Sequence, residues 1–76
     1  MKNDAIEELL VEVLNIKIED AKRDLGIHDV DSWDSLTHMG LIVEIESKFD
    51  IELTGDEIAE MISFAKIKQI INLKLL

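Results

Sequence analysis

The chain has no cysteine, no proline, only three glycines in 76 residues, and eight bases against 17 acids. Without cysteine there is no disulfide, no thiolate metal site and no thiol nucleophile, so any thiol chemistry must be brought in from outside. The missing proline and scarce glycine favour helices with short connections. No apolar stretch approaches the roughly 20 residues that span a bilayer. Met1-Lys2-Asn3-Asp4 leads quickly into Glu7 and Glu8 without an apolar h-region, so no secretory signal is expected and the cytoplasm is the default location.

What is present is a folding composition. Apolar residues make up 47% of the chain, which sets it apart from a disordered acidic tail. A chain this short is expected to form one domain over residues 1–76, with a single core and no room for both a deep catalytic cleft and its scaffold. The net charge of −9 is unevenly placed. Between Asp29 and Glu60 stand ten acids (Asp29, Asp31, Asp34, Glu44, Glu46, Asp50, Glu52, Asp56, Glu57 and Glu60) and one base, Lys48, so this span carries the whole deficit. Such a field repels nucleic acid and anionic lipid and attracts basic protein surfaces.

Apolar periodicity places the helices. Ile6, Leu9, Leu10, Val13 and Leu14 keep the spacing of an amphipathic helix running from a cap at Asn3 or Asp4 to about Asn15, with Glu7, Glu8 and Glu12 on its wet side. From Ile16 to Ser32 the pattern breaks into a long, partly ordered loop anchored by Ile16, Ile18, Leu25, Ile27 and Val30, with Glu19 to Leu25 able to form a helical turn. A second helix begins at Asp34 or Ser35 and ends near Phe49 or Asp50. Leu41, Ile42, Ile45 and Phe49 give it a core face, while Leu36, Met39 and Val43 form a second apolar stripe on another side. One stripe suffices for a surface helix, so the second reads as a docking face. Thr54-Gly55-Asp56-Glu57 has the form of a capping box for a short helix through about Met61. Ser63 caps a last helix carrying Phe64, Ile67, Ile71 and Leu75, with Lys74 suited to its C-terminal end. The expected fold is all-α, a small four-helix bundle of three principal helices and one short one, with no internal repeat.

Metal and catalytic readings fit poorly. Counted from Asp29 as a calcium loop, the fifth, sixth and twelfth positions hold Trp33, Asp34 and Gly40, and all three fail. His28 and His38 lie ten apart with no cysteine to assist, so they read as solvated or packed histidines, His38 as a neutral ring against a neighbouring segment. Ser35 and His38 are one turn apart, but their directions on the helix diverge by about 60°, and nothing marks an oxyanion hole beyond a helix start. A small Ser-His hydrolase is therefore disfavoured.

Trp33-Asp34-Ser35-Leu36 is the most informative run, because it sets one hydroxyl at a helix start in an acidic neighbourhood. One reading makes Ser35 a cap or first-turn residue, where serine is common. The other makes it a modification site, since a phosphodiester on Oγ would lie by free N–H groups and the positive end of the helix dipole. The adjacent acids and spare apolar stripe favour the second, as enzymes acting on an attached group must dock there. An unmodified acidic helical adaptor for a basic partner uses the same features.

Asp34-Ser35-Leu36, then Leu41-Ile42-Val43-Glu44-Ile45-Glu46, Phe49-Asp50-Ile51 and Ser63-Phe64-Ala65-Lys66-Ile67 resemble an acyl carrier protein over almost the whole chain. The three-residue motif alone is weak; its place at the head of this helix, in an acidic chain of this length, is specific. The resemblance implies that Ser35 carries 4′-phosphopantetheine, transferred from coenzyme A by a separate phosphopantetheinyl transferase with magnesium, and that the arm supplies the thiol this sequence lacks. It implies no catalysis by the chain itself. It further implies a carrier that holds acyl or aminoacyl groups as thioesters and meets a loading ligase and downstream transferases or synthases; nothing in the sequence demands more than a monomer. Asp34 would help present Ser35, and Leu36, Met39, Val43, Glu44, Glu46 and Asp56 would form the docking surface.

Trp33, His38, Gly40 and Lys48 depart from the pattern of housekeeping fatty-acid carriers and point to a specialised member, such as those serving polysaccharide, amino-acid-activating or secondary-metabolite pathways. Trp33 is either a loop anchor or a subfamily mark. Gly40 in mid-helix costs about 1 kcal/mol relative to alanine, which predicts a close neighbour there, most simply another helix of the domain.

Overall fold

In a computed structural model, which describes residues 2–76 and side chains from Asn3 onward, five helices follow one another: α1 (Lys2–Leu14), α2 (Ile18–Ala21), α3 (Ser35–Phe49), α4 (Gly55–Glu60) and α5 (Phe64–Lys74). The three long helices and the short α4 are the expected four, and α2 is a single turn inside the long loop. That turn starts and ends earlier than the Glu19 to Leu25 expectation. Lys17 precedes it in extended conformation and Lys22 closes it, with backbone bonds returning to Ile18 and Asp20 carbonyls.

Packing follows the apolar spacing. Helix α1 lies against α2, α3 and α5. Ile6, Leu9, Leu10 and Leu14 of α1 meet Leu41, Ile42 and Ile45 of α3 and Phe64, Ile67, Ile70 and Ile71 of α5 in one core, with Phe49, Leu75 and Val13 partly buried around it. Complete burial of a large aliphatic side chain contributes about 1.5–3 kcal/mol, so this cluster is the main source of stability.

Glu7 is a correction to the sequence reading. It stands on the α1 face assigned to water, yet it is buried; Lys68 Nζ lies 2.9 Å from Oε2 and Lys22 Nζ 3.2 Å from Oε1. Lys68 also donates to the Ala21 carbonyl. The carboxylate thereby joins α1 to α2 and α5. Glu8 and Glu12 are exposed as expected. A cap at Asn3 or Asp4 does not hold either, because α1 is already helical at Lys2. Asn3 Oδ1 instead accepts from Asn72 Nδ2 of α5.

The long loop is tied down more thoroughly than apolar anchors alone would achieve. Ile27 N donates to Ile62 O and Phe64 N to Leu25 O, both at 2.9 Å, forming an antiparallel bridge between Gly26 and Ser63. Asp24 Oδ1 accepts from Ala65 N, and Ser32 Oγ donates to the Leu14 carbonyl. These bonds satisfy backbone groups that a loop folded over a core would otherwise bury without partners. Gly40 is the second correction. It is exposed, and a Cβ built there meets nothing within 4 Å, so no neighbouring helix requires glycine.

Candidate functional site

Asp34 is extended, with φ −111° and ψ −175°, and its Oδ1 accepts the Thr37 N–H at 2.8 Å. It is the N-cap of α3, which makes Ser35 the first helical residue rather than the cap. The Thr37 N–H is the main cause holding the Asp34 carboxyl below the usual aspartate range. Because Asp34 fills the capping role, the exposed Ser35 hydroxyl is left uncommitted to it. The dipole end expected to favour an anion is present, but one of its N–H groups is already taken.

Trp33 and His38 flank this serine in the chain. Trp33 is 2% exposed and stacks on Phe64, with ring centroids 5.3 Å apart and planes at 23°. Its Nε1 donates to His38 Nδ1 at 3.0 Å, and His38 Nε2 lies 3.1 Å from the Ile58 carbonyl of α4. An Nδ1 that accepts must be unprotonated, so the ring is neutral and Nε2–H donates to Ile58. Trp33 is thus a loop anchor, and His38 packs against a neighbouring segment as the sequence suggests. With both ring nitrogens engaged, His38 is not placed to act as a base for Ser35. The only sequence signal of the Trp33–His38 bond is an indole and an imidazole five residues apart across a helix start.

Among the remaining expected site residues, Leu36, Met39 and Val43 are 83%, 52% and 60% exposed, so the second stripe of α3 is solvent-facing and lies outside the core. Glu44 on the same helix is exposed as well. Glu46 is partly buried, and its Oε2 accepts the Leu53 N–H at 3.0 Å, bracing the turn after α3. That turn opens with Asp50 in left-handed conformation, φ 54° and ψ 52°. Asp56 is exposed in the first turn of α4, on a different element from the stripe. Helix α4 is fixed by the Thr54–Glu57 capping box and by Lys74 Nζ at 2.9 Å from Glu57 Oε1. The Thr54 N–H, followed by Lys74, holds the Glu57 carboxyl below the usual glutamate range.

An exposed serine at the head of α3, its hydroxyl not used by the cap, fits covalent attachment of a phosphodiester. Comparison with known proteins gives the family. A family profile described as the phosphopantetheine attachment site matches residues 4–71. The chain is 33% identical to the acyl carrier protein of Buchnera aphidicola subsp. Schizaphis graminum over 69 residues, covering 91% of this chain and 87% of that protein. It is 37% identical to the acyl carrier protein of Sulfurovum sp. over 54 residues, covering 71% of this chain and 72% of that one. Among the described residues no helix is long and apolar enough to cross a membrane. The chain belongs to the acyl carrier protein family, and is a carrier whose prosthetic group is 4′-phosphopantetheine.

Proposed function

We propose that Ser35 is the attachment point and that residues 1–76 form one cytoplasmic carrier domain, a monomer without catalytic turnover of its own. The observation that supports this most is that Asp34 caps α3 while the Ser35 hydroxyl stands exposed beside it. In loading, Ser35 Oγ forms a bond to the pantetheine-bearing phosphorus of coenzyme A and gives its proton to a base of the transferase. The phosphorus–oxygen bond to adenosine 3′,5′-bisphosphate breaks. Once attached, the arm supplies a terminal thiol that holds acyl or aminoacyl groups as thioesters.

Leu36, Met39 and Val43, with Glu44 and Asp56, offer an apolar and acidic surface to basic faces of the phosphopantetheinyl transferase, the loading ligase and the downstream transferases or synthases. Glu46 adds charge nearby while bracing the loop at Leu53. Exposed ion pairs contribute about 0–1 kcal/mol each and are screened by salt, which suits a carrier that must leave each enzyme quickly. Trp33, His38, Gly40 and Lys48 favour a specialised pathway over housekeeping fatty-acid synthesis.

The test is incubation of apo-protein with coenzyme A, magnesium and a promiscuous phosphopantetheinyl transferase. Intact mass should rise by one phosphopantetheine in wild type and not in Ser35→Ala. Addition to Ser35→Ala would refute the assignment. Identifying the acid released by mild base from native holo-protein then names the cargo.

A further inference from the structure

We propose that Trp33 and His38 are positioning residues for the attachment serine, acting as a clamp that closes the chain across Ser35. This rests on the reading of Ser35 as the attachment point, but concerns residues to which that reading gives no task.

Three hydrogen bonds close the segment from residue 33 to residue 38. Trp33 Nε1 donates to His38 Nδ1 at 3.0 Å, His38 N donates to Asp34 O at 2.8 Å, and Thr37 N donates to Asp34 Oδ1 at 2.8 Å. Ser35 lies within this closed segment. The first turn of a helix is where fraying begins, and a frayed turn would swing the hydroxyl through a range of directions. Here the turn is locked from both ends. Trp33 is held by the Phe64 stack and by its own N–H to the Val30 carbonyl at 3.0 Å. His38 is held through Nε2 to Ile58 O of α4.

The donor on the indole is the deciding feature. A buried Trp N–H needs a partner, and His38 supplies it; a phenyl ring would fill the site without bridging Ser35. The imidazole is suited to the opposite task, accepting on one side and donating on the other. No single amide side chain reaches both partners, so substitution can separate the two bonds. Asn at 38 places an oxygen near the Nδ1 position and retains the clamp to Trp33. Gln places its terminal amide near Nε2, retaining the tie to Ile58 and losing the clamp.

The closing experiment uses full-length apo-protein as the varied substrate of a phosphopantetheinyl transferase. Because the carrier is itself the substrate, a lower folded fraction raises its apparent KM and leaves kcat alone, whereas a wandering hydroxyl lowers kcat. Trp33→Phe and His38→Gln should each lower kcat about tenfold at near wild-type KM, as expected when a reacting group is misplaced by a fraction of an ångström. The double variant should fall no further, since both changes remove one bond. His38→Asn should rescue kcat to within about twofold of wild type. Glu7→Ala, which disrupts an ion cluster outside the clamp, is the stability control and should leave kcat at its wild-type value. On the apo-protein, 15N NMR should report His38 protonated at Nε2 and the Trp33 indole N–H protected from exchange in wild type, with protection lost in His38→Gln. Wild-type kcat in Trp33→Phe and His38→Gln, a change in KM alone, or a freely exchanging wild-type indole would overturn the clamp while leaving Ser35 as the attachment point. A wild type that accepts no arm, or Ser35→Ala that does, would overturn both.

Discussion

Trp33 Nε1 donates to His38 Nδ1 at 3.0 Å, a side-chain bond that spans the helix start between residues flanking Ser35 in the chain. The indole is stacked on Phe64 of α5 and the imidazole bonded to Ile58 of α4, so the head of α3 is referenced to two other helices. Residues that look like marks of a subfamily in the sequence are structural parts of the site.

The first consequence is for stability. Trp33→Ala removes a buried ring and leaves the His38 acceptor without its donor; it should cost about 3–5 kcal/mol. Urea unfolding followed by circular dichroism measures this, since the variant lacks the sole tryptophan fluorophore. Trp33→Phe keeps the stacked ring and should cost less than half as much. Equal losses would mean that the ring contributes little beyond its N–H.

Exposed positions of α3 should be separable from those that brace the fold. Val43→Asp and Glu44→Lys alter exposed positions and should leave helical content and melting temperature unchanged. They should raise the KM of the phosphopantetheinyl transferase for the carrier by about five- to tenfold, the Glu44 effect shrinking in high salt. Glu46→Lys should behave differently. It also removes the acceptor of the Leu53 N–H and should cost about 1 kcal/mol of folding stability. If all three variants change stability alike, the division between surface and brace is wrong.

Gly40→Ala should stabilise the protein by about 1 kcal/mol, because the glycine is helical, its φ is not positive, and a methyl group there meets open space. Chemical denaturation of the apo-protein checks this. If partner enzymes lose affinity for the more stable variant, Gly40 serves a partner that approaches the α3 backbone.

Acid should destabilise the protein in part through Glu7. Its hydrogen bond to Lys68, opposed by burial and aided by Lys22, holds the carboxyl below the usual glutamate range. A folded value below the unfolded one gives stability that is present above the unfolded pKa and lost as pH falls through the folded one. Stability measured from pH 7 downward should therefore begin to fall near the ordinary glutamate range. Glu7→Ala should cost about 2 kcal/mol at pH 7 and flatten that acid limb. An unchanged limb would place the titration elsewhere.

The sequence by itself determined most of the elements and the local setting of Ser35. Helical spacing in α1, α3 and α5 depends on which residues are apolar, and the caps at Asp34, Thr54 and Ser63 depend on side chains reaching three residues along their own chain. Both kinds of information are local, and so is the exposed stripe of Leu36, Met39 and Val43 once the core face of α3 is assigned. Tertiary structure decided what depends on meeting across the chain. Glu7 is indistinguishable from Glu8 until Lys68, 61 residues away, is folded beside it. Gly40 invites a neighbour that the packing never brings. The loop is tied by backbone groups of Leu25 and Ile27 pairing with Phe64 and Ile62, which no side-chain pattern encodes. Trp33 lies five residues from His38, yet its role required the fold, because only the burial of the indole against Phe64 aims its N–H at the imidazole.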